Sequence, residues 1–157
     1  MKSHCDPEVR TLLRRANIGC VDPLVDRAAN AMLASAPLQG RRVIACWAFG
    51  SRARGEGKAD SDVDLAVLCE PTLGLERTRI MDIVGCEIGV DVDVIDMGSA
   101  PPGLKWEVIT TGRLLVERDE LAVEDFLRRA RWEAEDDEQR NRMILLAQTA
   151  DAGGTTP

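Results

Sequence analysis

Tyrosine is absent from this 157-residue chain, and with two phenylalanines and three tryptophans the aromatic share is 3%. Self-modification on a tyrosyl hydroxyl is therefore excluded. Histidine occurs once, as His4 beside Cys5, and a lone pair of donors near a terminus does not build a metal site. The five cysteines (Cys5, Cys20, Cys46, Cys69 and Cys86) are odd in number and never spaced Cys-x-x-Cys. That pattern argues against a disulfide framework or a zinc ribbon and for reduced, mostly buried thiols. No run approaches the roughly 18 apolar residues of a membrane span, and the N-terminus lacks the apolar core of a secretory leader. A basic excess is also missing: the formal charge is −7, which speaks against direct nucleic-acid binding, because phosphate neutralisation needs a cationic face. These absences predict a cytoplasmic, soluble protein with no membrane contact.

The acidity is uneven. Residues 1–42 carry seven Lys/Arg against four Asp/Glu, whereas residues 60–97 carry ten acids against two arginines. The length suits one domain able to bury a core, and the expected organisation is a single domain over residues 1–150 followed by a disordered tail, 151–157, rich in glycine and threonine. Asp6-Pro7 and Asp22-Pro23 each read as an N-cap with proline at the first helical position. They predict an N-terminal helix within residues 1–20 and a second helix that Pro37 and Gly40 stop. A strand over Arg42 to Phe49, apolar on both faces, is expected to be central. The loop from Arg54 to Asp60 has the glycine and charge content of a mobile segment.

Further strands are expected over Val63 to Cys69, Glu87 to Ile95 and Leu114 to Glu117, the last at an edge, with helices near Leu75 to Val84 and Pro102 to Thr111. A long helical segment, 119–150, contains five acids between Glu133 and Glu138. Either a solvated helix face or a break between two helices accounts for that run, and a docking surface for a basic partner is the functional alternative. Trp47, Trp106 and Trp132 are read as core or half-buried packing. The predicted fold class is α+β, a small mixed β-sheet with flanking helices.

The chemistry concentrates where the first strand ends. Gly50-Ser51 follows the apolar run, and ten residues later Asp62-Val63-Asp64 opens the next strand. Backbone N–H groups at a strand-to-helix junction suit anionic oxygen, with glycine allowing close approach and serine adding a hydroxyl. Strand alternation points Asp62 and Asp64 one way and Val63, Leu65 and Val67 the other. The same parity in Val90-Asp91-Val92-Asp93-Val94 presents Asp91 and Asp93 together. Adjacent strands would bring three carboxylates side by side, an arrangement that suits a hard cation such as Mg2+ or Mn2+. Arg52 and Arg54 have the planar guanidinium that matches phosphate geometry. Asp60 reads as a loop carboxylate, and Asp96, on the opposite parity from Asp93, as a structural cap.

Gly50-Ser51, the ten-residue gap, Asp62-Val63-Asp64 and the later Val92-Asp93-Val94-Ile95-Asp96-Met97 resemble the minimal nucleotidyltransferases of the DNA polymerase beta superfamily, over about residues 24 to 117. The resemblance implies a polymerase-beta-like fold and transfer of AMP from ATP to a hydroxyl with release of pyrophosphate. It implies a two-ion Mg2+ site on Asp62, Asp64 and Asp93, of which Asp93 is favoured over Asp91 as the third ligand. Gly50, Ser51, Arg52 and Arg54 would then contact the nucleotide. Members of that group act as antitoxins beside HEPN-domain ribonuclease toxins, so the implied acceptor and partner is such a toxin, and any acceptor tyrosine would be the partner's. Two alternatives remain open at this point: a non-catalytic antitoxin that neutralises by binding, and a small-molecule nucleotidyltransferase of the aminoglycoside-modifying kind.

Overall fold

The computed structural model describes residues 22–152. The expected helix within residues 1–20, the His4–Cys5 pair and residues 153–157 of the tail expected from residue 151 lie outside them. Helix α1 (Pro23–Ala34) starts as its sequence dictates: Asp22 Oδ1 accepts from Leu24 N at 2.9 Å, and Pro23 occupies the first turn. Its buried face is Val25, Ala28, Ala29 and Met32. A short 3-10 turn (Ala36–Leu38) leads to β1 (Arg42–Phe49), buried from Val43 through Ala48. Then come α2 (Gly50–Ala53), β2 (Val63–Glu70), α3 (Glu76–Ile88), β3 (Val92–Asp96), α4 (Pro102–Thr111), β4 (Arg113–Glu117) and α5 (Glu120–Ala152).

The sheet order is β3-β2-β1-β4; β1 runs antiparallel to both β2 and β4, and β2 runs parallel to β3. The fold is thus α+β with a four-stranded mixed sheet, and the doubly apolar β1 pairs on both sides. Alternation divides the sheet between two cores. Val63, Leu65, Val67, Val92 and Val94 pack with α1 and α3, whereas Ala66, Leu68, Ile95, Trp47 and Met97 pack with α4 and α5. Trp47 meets Phe126 of α5 at a centroid distance of 6.3 Å.

Two expectations differ from the structure, the start of the third strand and the packing of Trp132. The third strand was expected from Glu87, but α3 runs on to Ile88, because Ile80, Val84 and Ile88 form a buried stripe at four-residue spacing that carries the helix through Gly85. The helix stops at Gly89, whose φ of +78° makes it a left-handed cap. Of the two expectations for the acidic segment, the solvated helix face holds and the break does not, since α5 is one helix of 33 residues. Its first turns bury Val123, Phe126, Leu127 and Ala130; farther on, Arg131 pairs with Glu135, Arg140 with Asp136 and Arg142 with Glu138 at i,i+4 spacing, a solvated face laced with weak pairs. Trp132, expected to be packed, is 67% exposed. Among the described residues no helix is long and apolar enough to cross a membrane.

Candidate active site

The end of β1 and the starts of β2 and β3 meet at one corner of the sheet. Phe49 lies opposite Asp64 in the antiparallel register, so the turn that follows Phe49 falls directly on the Asp64 side chain. Gly50 has φ +71°, and a Cβ built there would overlap Asp64 Oδ2 and lie 2.9 Å from Cγ. Only a residue without a side chain meets both demands. Across the parallel pair, Asp64 is in register with Asp93, and Val63 with Val92, which puts the two backbones one strand spacing apart, about 4.8 Å in the hydrogen-bonding direction. Both carboxylates belong to the sheet face that carries Ala66, Ile95 and Met97, the α4 and α5 side. Asp62 precedes β2 by one residue and is exposed, as is Asp93; Asp64 is half-buried.

Charge couples these groups. Burial raises the pKa of Asp64 above the ordinary carboxylate value, the negative charges of Asp93 and Asp62 raise it further, and the cation of Arg54 opposes them. Among the described residues no three His, Cys, Asp or Glu side chains form a ready metal-ligand cluster, so the expected convergence of three carboxylates is one of register and field, not a preassembled chelate. Like charges spread from one another. The donor set itself, three carboxylates beside a close-approach glycine, fits a hard divalent cation and no soft one. Asp91 stands just before β3, and its carbonyl accepts from Val63 N at 2.9 Å.

Ser51 is half-buried at the second residue of α2, and its carbonyl accepts from Glu56 N at 2.9 Å. Arg54 is exposed and donates from Nε to Glu56 at 3.0 Å. Arg52 is placed otherwise than the sequence suggests: it is 6% exposed, and its guanidinium donates to Ser61 O at 2.7 Å, Ala59 O at 3.0 Å and Asp22 Oδ2 at 2.8 Å. Those bonds turn it inward, onto the loop before β2 and the cap of α1. Burial works against the charge of Asp22, yet the bonds from Arg52 and from Leu24 N bring its carboxyl below the usual range. Gly57 lies on this arginine, since a Cβ there would sit 2.5 Å from Arg52 Cγ and 3.1 Å from its Cα. Sequence reasoning missed Asp22 and Gly57 as parts of this corner. The signal available, Asp22-Pro23, reads only as a helix cap.

Asp96 is buried and structural, as its parity suggests. It accepts from Leu73 N at 2.7 Å and Gly98 N at 3.0 Å, tying the connection before α3 to the end of β3. Asp96→Ala strands both donors and is expected to cost about 1–3 kcal/mol in urea unfolding. Activity per folded molecule should be unchanged.

The family profile described as "Polymerase beta, Nucleotidyltransferase" matches residues 35–121, more than half the chain. Protein adenylyltransferase MntA of Shewanella oneidensis is 34% identical over 70 residues, 44% of this chain and 50% of that relative. The probable protein adenylyltransferase MntA of Haemophilus influenzae is 32% identical over 80 residues, 50% of this chain and 69% of that relative. The chain therefore spans half the length of the first and about two thirds of the second. A crystal structure of a toxin-antitoxin with AMP-PNP superposes with a TM-score of 0.66 at 23% identity, covering 80% of this chain and 98% of that one. A structure of tri-AMPylated Shewanella oneidensis HEPN toxin in complex with MNT antitoxin gives a TM-score of 0.55 at 24% identity, covering 69% and 84%; at such identities the likeness speaks for the fold. With the family profile covering more than half of its residues, the chain belongs to the polymerase beta nucleotidyltransferase family.

Proposed function

We propose that this chain is a Mg2+-dependent protein adenylyltransferase that transfers AMP from ATP to a HEPN-type toxin and thereby silences it. The observation that carries the reading is the register of Asp64 with Asp93 beside a glycine whose side-chain position is taken by the Asp64 carboxylate. Asp62, Asp64 and Asp93 would hold Mg2+, which when bound neutralises phosphate charge and polarises the α-phosphoryl group. Gly50 lets the phosphate chain approach the backbone, Ser51 offers a hydroxyl, and Arg54, close enough to counter the charge of Asp64, supplies a cation for the β- and γ-phosphates.

The acceptor hydroxyl oxygen attacks the α-phosphorus, its O–P bond forms as the bond to the β-phosphate oxygen breaks, and pyrophosphate leaves. The hydroxyl proton passes to Asp93, whose exposed carboxylate orients the acceptor. Positioning and charge neutralisation supply the acceleration, so no covalent nucleophile is needed. The naming of both relatives as adenylyltransferases and the toxin complexes of the structural neighbours support the choice of substrate and partner.

One observation favours a second reading, neutralisation by binding alone: the far half of α5 exposes Met143, Ile144, Leu145 and Leu146 beside the acidic run, a surface on which a partner could be held without turnover. The small-molecule reading has no such support, because the described residues build one sheet and its helices and no added substrate lobe. The two protein-directed readings separate when purified protein is mixed with Mg2+, α-phosphate-labelled ATP and the protein encoded beside it. Label on the neighbour, lost in an Asp62→Asn/Asp64→Asn double variant, supports transfer. Neutralisation that survives the double variant supports binding alone.

A further inference from the structure

We propose that Arg52 is a positioning residue of the site, a clasp that fixes Asp62 relative to the Gly50-Ser51 turn and draws its own support from the cap of α1. This rests on the adenylyltransferase reading only for what is being positioned. The backbone of Arg52 belongs to α2, one residue after Ser51, while its Nε reaches Ser61 O, the residue immediately before Asp62, at 2.7 Å. A second donor takes Ala59 O at 3.0 Å. One side chain thus staples the phosphate-side turn to the start of the carboxylate strand across a glycine-rich loop.

The third bond, to Asp22 Oδ2 at 2.8 Å, leaves Asp22 Oδ1 to cap Leu24 N at 2.9 Å, so the clasp is anchored on a helix that packs behind the sheet. Gly57 permits the closure, because any side chain there meets the Arg52 stem. Backbone bonds complete it: Glu56 N to Ser51 O at 2.9 Å and Gly55 N to Arg52 O at 3.1 Å. An arginine with 6% exposure and a donor on each of its three nitrogens committed inward does not reach a substrate. It acts through Asp62. A lysine keeps the charge and loses the fork.

The test uses the full chain carrying Arg52→Lys, Asp22→Asn or Gly57→Ala, three changes that open the same clasp from different sides, so that one failing to fold leaves two. Affinity for Mn2+ alone, read by the spin resonance of the free ion, is expected to fall on the order of 10-fold or more in each. In the same variants kcat for transfer falls comparably, KM for ATP stays within about twofold, and amide exchange quickens over residues 55–62. Unchanged Mn2+ affinity and unchanged exchange in the folded variants overturn the proposal. So does a raised KM for ATP with Mn2+ affinity and exchange intact, the signature of a direct phosphate ligand. If the wild-type protein transfers nothing yet the variants lose Mn2+, the adenylyltransferase reading fails and the clasp stands.

Discussion

Gly50→Ala is expected to leave a folded protein that has lost transfer activity by on the order of 10²-fold or more. Two separate demands meet at this residue. Its φ of +71° costs an alanine roughly 1–2 kcal/mol, and the added methyl overlaps the Asp64 carboxylate. The struck atoms are the end of a side chain and can swing aside, so the fold absorbs the change while the carboxylate leaves its place. A thermal melt that drops modestly beside a kcat that collapses is the predicted pair of results. Full activity in Gly50→Ala would mean that the position of Asp64 is not what the glycine protects. The neighbouring Gly55 also has positive φ but open space where a Cβ would go, so Gly55→Ala should cost stability by a similar strain and leave kcat nearly intact.

Asp64→Asn should have the larger effect on chemistry and the opposite effect on stability. Removing a carboxylate that would hold the cation is expected to cost on the order of 10³-fold in kcat or more, several kcal/mol of transition-state stabilisation. The same carboxylate is a burden to the native state. Burial and the charges of Asp93 and Asp62 raise its folded pKa above the unfolded value. The native state therefore holds this proton more tightly than the unfolded chain does, and ionisation lowers stability as pH rises from the unfolded value, near 4, through the raised folded one. Asparagine does not ionise. Its melting temperature should exceed that of the wild type at pH 7, and the gap should close as pH falls below the unfolded value. A gap that widens in acid would reverse the assigned direction. Stability gained where activity is lost is the usual mark of a site strained for function.

Much of this corner could be read from residues whose neighbours are set by periodicity. Strand alternation alone puts Asp64 on the face away from Val63 and Leu65, and Asp93 away from Val92 and Val94, and the structure then places those two strands side by side in register. The glycine-serine turn is legible for the same reason, since the doubly apolar run before it must be a central strand that ends there. The start of β3 was not legible, because Gly85 looks like a helix end while the Ile80, Val84 and Ile88 stripe that overrides it becomes decisive only once it is packed. Arg52 illustrates a different limit. Its partners are two backbone carbonyls and an aspartate 30 residues earlier, and nothing in local spacing announces such contacts, whereas the Arg-rich loop invites a phosphate reading for both arginines equally. In the loop from Arg54 to Asp60, expected to be mobile from composition, Glu56 N and Lys58 N donate to Ser51 O and Ser61 Oγ, and Ala59 O accepts from Arg52. Composition does not announce the buried guanidinium that meets it at Ala59.

Mn2+ offers the most direct test of the central claim, that the carboxylates beside the β1 turn form the cation site. Titrated into isotopically labelled protein with a non-hydrolysable ATP analogue, it should broaden the backbone resonances of Gly50, Ser51, Asp62, Asp64 and Asp93 first, and Asp62→Asn/Asp64→Asn should abolish that pattern. Broadening centred instead on the acidic stretch of α5, Glu133 to Glu138, with the sheet corner untouched, would contradict it.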